Sequence, residues 1–142
     1  MNDLELVDFI LEFTQEMNGL EIKYFPLIEN SRQNGGSDTS AIFTAFQAEA
    51  ETIYRKYLTE KERTYYFGIG SPPKFAAVNT MVSRTVERTK NRAVVTISTG
   101  KGLLDFQFML VCKKDRWLIN SFKQRYHSED RSVAYQWQYG SF

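Results

Sequence analysis

The fold is decided by residues 74–126, which read KFAAVNTMVSRTVERTKNRAVVTISTGKGLLDFQFMLVCKKDRWLINSFKQRY. Apolar or β-branched side chains alternate with polar ones along most of this stretch, which is typical of strands with one buried face. The alternation predicts four strands: Val78 to Val86, Ala93 to Thr99, Leu104 to Cys112, and Arg116 to Tyr126. Turn-forming residues separate the later strands, namely Lys90-Asn91, Gly100-Lys101-Gly102 and Lys114-Asp115. We therefore expect an antiparallel meander.

Two amphipathic helices are predicted before the strands. The first begins at Asn2, whose side chain is placed to cap the first free amides, and continues until Pro26 disfavours helix. The polar segment from Asn30 to Thr39 predicts a loop, and the second helix begins at its end. Helices followed by a meander predict an α+β fold with the helices on one face of an antiparallel sheet. Trp117 and Ile119 alternate on the final strand, so we assign them to packing against the helices.

Composition restricts the class of protein. The chain has 142 residues, 42% of them hydrophobic and 25% charged, which fits a single soluble domain spanning residues 1–142. Its formal net charge of +1 argues against a nucleic-acid binder, although averaging over the chain can hide a local patch. The sequence shows neither a signal peptide nor a membrane-spanning segment, and one cysteine excludes an internal disulfide. These features favour the cytoplasm.

Catalytic chemistry is not visible in the sequence. The only histidine, His127, lies in a charged stretch that indicates a solvated loop, and the only cysteine, Cys112, lies among apolar strand residues. Neither a catalytic triad nor a cysteine- and histidine-based zinc site can be assembled from them. The glycine pairs do not fit a phosphate-binding loop. We therefore expect no enzyme activity, no metal and no cofactor.

One carboxylate leaves an alternative open. Asp105 and Gln107 share the polar face of the third predicted strand and are candidates for lining a pocket. In a closed apolar cavity, loss of solvation would raise the pKa of Asp105, as proton-transferring isomerases require. On a face exposed to water, the same residues are simply the polar positions of an alternating strand.

The ordered motifs of the chain resemble a known family. They are Phe13-Thr14-Gln15-Glu16-Met17-Asn18 followed by Glu21 and Tyr24, the helix end Ile53 to Arg63, the turn Gly70-Ser71-Pro72-Pro73-Lys74-Phe75, the segment Lys90 to Val95, and the terminal tryptophan strand. This set is similar to the immunity proteins of bacterial polymorphic toxin systems, which have a nuclear transport factor 2-like fold. The resemblance covers Phe9 to Tyr126. It departs from the family at Gly19-Leu20, where a tryptophan is expected before the glutamate of the first helix, and in the tail after His127.

The resemblance implies both a fold and a function. The fold is a cone in which helices pack in the concave face of a bent antiparallel sheet. The function is to bind and neutralise a cognate secreted toxin domain in the cytoplasm of the producing bacterium, without cofactor, nucleic acid or membrane, as a monomer or homodimer. The alternative is a ketosteroid-isomerase-like or dehydratase-like small-molecule enzyme or binder. A third hypothesis is that the protein is a dimeric scaffold of the same fold.

Aromatic residues outside the regular pattern are the candidates for contacting the toxin, because tyrosine and tryptophan are enriched at interfaces. They lie in two segments: Tyr65, Tyr66 and Phe67, and then Tyr135, Trp137 and Tyr139, with Phe142 in the same tail. In the second segment the aromatic residues alternate with polar ones. That segment therefore also fits an additional strand attached to the sheet, so the sequence supports both a toxin-binding segment and a structural strand.

Overall fold

The structure, a computed structural model, describes residues 1–63, 68–100, 103–128 and 135–142. Two long helices, α1 (Asp3–Gln33) and α2 (Thr39–Tyr57), are followed by a short 3-10 helix (Ala76–Thr80). The five strands are β1 (Ser83–Arg88), β2 (Arg92–Ser98), β3 (Leu104–Lys113), β4 (Arg116–Tyr126) and β5 (Gln138–Tyr139). They form one antiparallel sheet in the order β1-β2-β3-β4-β5. The predicted α+β class is confirmed.

Helix α1 begins as predicted and ends later than predicted. The Asn2 side chain accepts a hydrogen bond from the Glu5 amide at 2.8 Å, which caps the first turn. The helix then continues through Pro26 to Gln33, so the loop predicted from Asn30 is confined to residues 34–38. An interior proline costs about 3 kcal/mol. Burial of Ile28 and the hydrogen bonds of Ser31 to the start of α2 offset that cost.

The first predicted strand is wrong at its start, and the other three are confirmed within a residue or two. Val78 lies in the 3-10 helix and is buried against the core, and β1 begins only at Ser83. Alternation alone cannot distinguish a strand from a 3-10 helix at this position, because one buried valine fits either structure. Lys114 and Asp115 form the two-residue turn predicted between β3 and β4, with φ angles of 51° and 61°. Positive φ at both positions is typical of the turn that joins tightly paired strands.

The core fills the space between the helices and the concave face of the sheet. Its largest fully buried side chains are aromatic: Phe13, Phe75, Phe106, Phe108 and Phe122. Trp117 and Ile119 are buried with them, as predicted from the alternation in β4. The inner cavity beside Met17, Phe46 and Phe75 has a volume of only about 10 Å³, at the lower limit of the roughly 10–15 Å³ that one water molecule needs.

A bulge in β4 determines which side chains face outward. Leu110 pairs with Ile119 and Met109 with Ser121, so Asn120 is the extra residue. The segment after α2 supports this bulge, since the Thr59 hydroxyl donates to Asn120 Oδ1 at 2.9 Å. Beyond the bulge Phe122 points inward, while Lys123 faces away from the core. No helix among the described residues has the length and apolar content needed to cross a bilayer.

Candidate functional site

Residues 135–142, which we call the tail, follow strand β4. Tyr139 pairs with Lys123 and Gln138 with Gln124 in the short strand β5. The Gly140 amide continues the pairing with a hydrogen bond of 3.0 Å to the Phe122 carbonyl. The strand-like alternation of the tail therefore corresponds to real pairing at Gln138 and Tyr139. This pairing does not test whether the same residues contact a toxin.

Phe142 anchors the tail in the core. Its side chain is only 6% exposed, and its ring lies 4.8 Å from that of Phe122 and 5.7 Å from that of Phe13, measured between centroids. The chain reaches this position by crossing the ring of Phe122 at Gly140. A Cβ atom at Gly140 would lie 2.2 Å from that ring, so only glycine fits this crossing.

The candidate aromatic residues of the tail lie against β4. Tyr139 is 71% exposed, and the Lys123 ammonium lies 4.8 Å from its ring centroid. The Arg125 guanidinium lies 4.1 Å from the ring of Trp137, and the Tyr135 ring lies 6.1 Å from that of Tyr126. The structure thus brings Tyr135, Trp137 and Tyr139 to one end of the sheet. The other three candidates, Tyr65, Tyr66 and Phe67, lie outside the described residues.

A buried carboxylate joins helix α1 to the turn before the sheet. Glu21 is 4% exposed and accepts hydrogen bonds from the amides of Lys74 at 2.7 Å and Gly70 at 3.3 Å. Burial raises the pKa of Glu21 above its usual value, although the two amides oppose that shift. Burial also lowers the pKa of Lys74, against the influence of the Glu21 charge.

Lys74 also connects this turn to the tail. Its ammonium donates a hydrogen bond of 2.6 Å to the carbonyl of Ser141. An open groove of about 680 Å³ runs past this contact, between the turn and the tail; its lining includes Gly70, Pro73, Leu104, Gln124 and Tyr139. Sequence reasoning did not assign this groove, although its turn and Glu21 both belong to the motifs that carry the family resemblance.

The pocket candidates Asp105 and Gln107 lie on the outer side of β3. Asp105 is 4% exposed, and its Oδ1 accepts hydrogen bonds from the Thr99 amide at 2.7 Å and the Thr99 hydroxyl at 3.3 Å. Gln107 donates to the Thr96 hydroxyl at 3.3 Å. Neither side chain lines the groove or the inner cavity. Both therefore connect neighbouring strands in this structure.

His127 differs from its sequence-based interpretation as part of a solvated loop. Its Nδ1 lies 3.0 Å from both carboxylate oxygens of Asp105, and its side chain is only 17% exposed. The backbone also holds it, since its amide donates to the Leu103 carbonyl at 2.8 Å. Across the described part of the chain, no group of three or more histidine, cysteine, aspartate or glutamate residues is placed to hold a metal ion.

Comparison with known proteins identifies the family. The profile described as "NTF2 fold immunity protein" matches residues 5–136. The chain is also 28% identical over 141 residues to "Immunity protein RhsIA" of Dickeya dadantii (strain 3937), an alignment that covers 95% of this chain and 98% of that protein. No solved structure shows significant similarity. Because the family profile covers most of the sequence, including both helices, strands β1 to β4 and the start of the tail, the chain belongs to the NTF2 fold immunity protein family.

Proposed function

We propose that this protein binds one cognate toxin domain directly and blocks its activity in the cytoplasm of the producing bacterium. The observation that carries this proposal is the family match over residues 5–136, in agreement with the immunity protein of Dickeya dadantii aligned along nearly the whole chain. We expect residues 1–142 to act as one domain, as a monomer or homodimer. Neither nucleic acid nor membrane is required.

The packing of the interior supports binding rather than turnover. A small-molecule enzyme of this fold needs a pocket that encloses most of its substrate, typically about 300–1,000 Å³. Aromatic side chains occupy the interior here, and about 10 Å³ remains beside Phe75 and Phe142. Asp105, the residue considered for proton transfer, is instead engaged by Thr99 and His127. The isomerase-like alternative is therefore the weaker proposal.

The exposed aromatic residues of the tail support a protein partner. Tyr135 and Tyr139 are exposed, and Trp137 is half-buried against Arg125. Tryptophan, tyrosine and arginine are the residues most enriched among those whose truncation costs the most binding energy. We propose that these tail residues contact the toxin. The candidates Tyr65, Tyr66 and Phe67 remain part of this proposal on sequence grounds.

The test is co-expression with the toxin domain encoded immediately upstream. Expressing that domain alone should stop growth, and adding this protein should restore it. Tyr139→Ala should weaken protection, whereas Ile22→Ala, which removes another largely exposed side chain, from helix α1, should not. Continued toxicity in the presence of folded wild-type protein would refute the proposed function. Full protection by a Trp137→Ala/Tyr139→Ala double variant would refute the role of the tail.

A further inference from the structure

Charge is strongly segregated along this nearly neutral chain. Residues 1–51, which contain α1 and most of α2, carry ten carboxylates and two cations. Residues 52–142, which contain the sheet, carry sixteen cations and seven carboxylates. The net charge of +1 is therefore a balance between an acidic helical part and a basic part that contains the sheet. A field of this kind orients a charged partner before contact is made.

Two cations of the basic part are held by aromatic rings. Lys123 and Arg125 lie on β4 with one residue between them, and the rings of Tyr139 and Trp137 lie 4.8 Å and 4.1 Å from their charged groups. We call these four residues the cation–aromatic face. Each cation is attracted by the negative face of the ring that it lies over. This attraction also holds long side chains in place, which reduces the entropy that they lose on binding.

Carboxylates do not neutralise this face in the described structure. Neither Lys123 nor Arg125 forms an ion pair with a described residue. The carboxylate directly opposite Arg125 in the β3–β4 register is Asp105, but its oxygens are engaged by Thr99 and His127. The face therefore presents positive charge and aromatic surface together. A guanidinium stacked on a ring keeps the N–H groups at its edge available for a carboxylate.

We propose that the cation–aromatic face binds an acidic patch on the cognate toxin domain. Arg125 and Lys123 pair with carboxylates of the toxin, while Trp137 and Tyr139 pack against the apolar surface around them. Helices α1 and α2 pack on the opposite face of the sheet, so the acidic part lies away from the cation–aromatic face and the segregated charge steers the toxin toward the sheet. This inference rests on the proposed function and adds the location and chemistry of the interface.

The experiment compares two double variants that remove the same charge. Lys123→Gln/Arg125→Gln removes both cations of the face. Arg84→Gln/Lys90→Gln removes two exposed cations near β1, at the opposite edge of the sheet, and serves as the matched control. Association rate and Kd for the purified toxin domain are measured at low and at physiological ionic strength, after thermal melting has shown that each variant is folded.

The expected result is a difference between the variants. Lys123→Gln/Arg125→Gln weakens Kd on the order of tenfold or more and reduces the salt dependence of the association rate, and the control retains both within about twofold. Equal loss in both variants would overturn the inference, because it would indicate only a general field. Unchanged affinity in the first variant would also overturn it, while leaving the proposed function intact.

Two further outcomes separate this inference from its alternatives. If the wild-type protein neither binds nor neutralises the toxin, the proposed function itself fails. If a single-stranded oligonucleotide binds to the wild type and not to Lys123→Gln/Arg125→Gln, while both bind the toxin equally, the face is a nucleic-acid site. That result would overturn the inference, since rows of cations with aromatic rings also serve single-stranded nucleic acids.

Discussion

Replacing Phe142 by alanine tests whether the tail is an integral part of the fold. The side chain lies in the core against Phe122 and Phe13, with the Arg63 guanidinium 5.2 Å from its ring. A buried phenylalanine removes about 150–250 Å² from water. At about 25 cal/mol per Å² this corresponds to about 4–6 kcal/mol, which is an upper bound because the unfolded chain already buries part of this area.

We expect Phe142→Ala to reduce the free energy of unfolding by about 3–4 kcal/mol, near the lower end of measured phenylalanine truncations. For a domain of this size that loss lowers the melting temperature by roughly 10 °C. The assay is urea denaturation followed by circular dichroism, with thermal melting beside it. Tyr139→Ala is the control: its exposed ring contributes mainly the contact with Lys123, so its change should stay within about 1 kcal/mol. A Phe142→Ala protein as stable as the wild type would refute the reasoning.

Trp117→Ala should cost about 3–5 kcal/mol of stability while the folded variant still binds the toxin; a normal melt with lost binding would move Trp117 to the interface. Gly140→Ala should destabilise the protein, because the added Cβ would lie 2.2 Å from the Phe122 ring; an unchanged melting temperature would contradict this. Since the pKa of Glu21 is raised in the folded state, its contribution to stability is present at low pH and is lost as the pH rises through that pKa. The stability of the wild type relative to Glu21→Gln should therefore fall as the pH rises from 4 to 7. An increase in this relative stability over the same range would contradict the predicted direction.

Local patterns predicted strands β2 to β4 and the starts of both helices correctly, and placed the start of β1 too early. The β3–β4 hairpin is the clearest case, because alternation, the Lys114-Asp115 turn and the buried Trp117 all indicate the same register. Pro26 shows where such reasoning fails. The helix nevertheless continues to Gln33, where Ile28 is buried and Ser31 hydrogen-bonds to the start of α2, and such contacts are not readable from a local window.

The groove and the tail depend on contacts that are distant in sequence. Glu21 is buried because amides 49 and 53 residues further along the chain hydrogen-bond to it, whereas glutamate alone predicts an exposed residue. The tail could be read as a strand or as a binding segment because alternation suits both. Pairing with β4 decided the local structure of Gln138 and Tyr139, and the partner contact still has to be measured.

The central claim is that this protein neutralises its toxin by binding it directly through the sheet and tail. The most direct measurement is a titration of the purified upstream toxin domain with this protein, in which toxin activity and complex formation are followed in the same samples. Stoichiometric binding should abolish activity at a fixed molar ratio, and Lys123→Gln/Arg125→Gln should shift both curves together to higher concentration. An unaffected toxin with no complex would contradict the account, as would inhibition that requires only catalytic amounts of this protein.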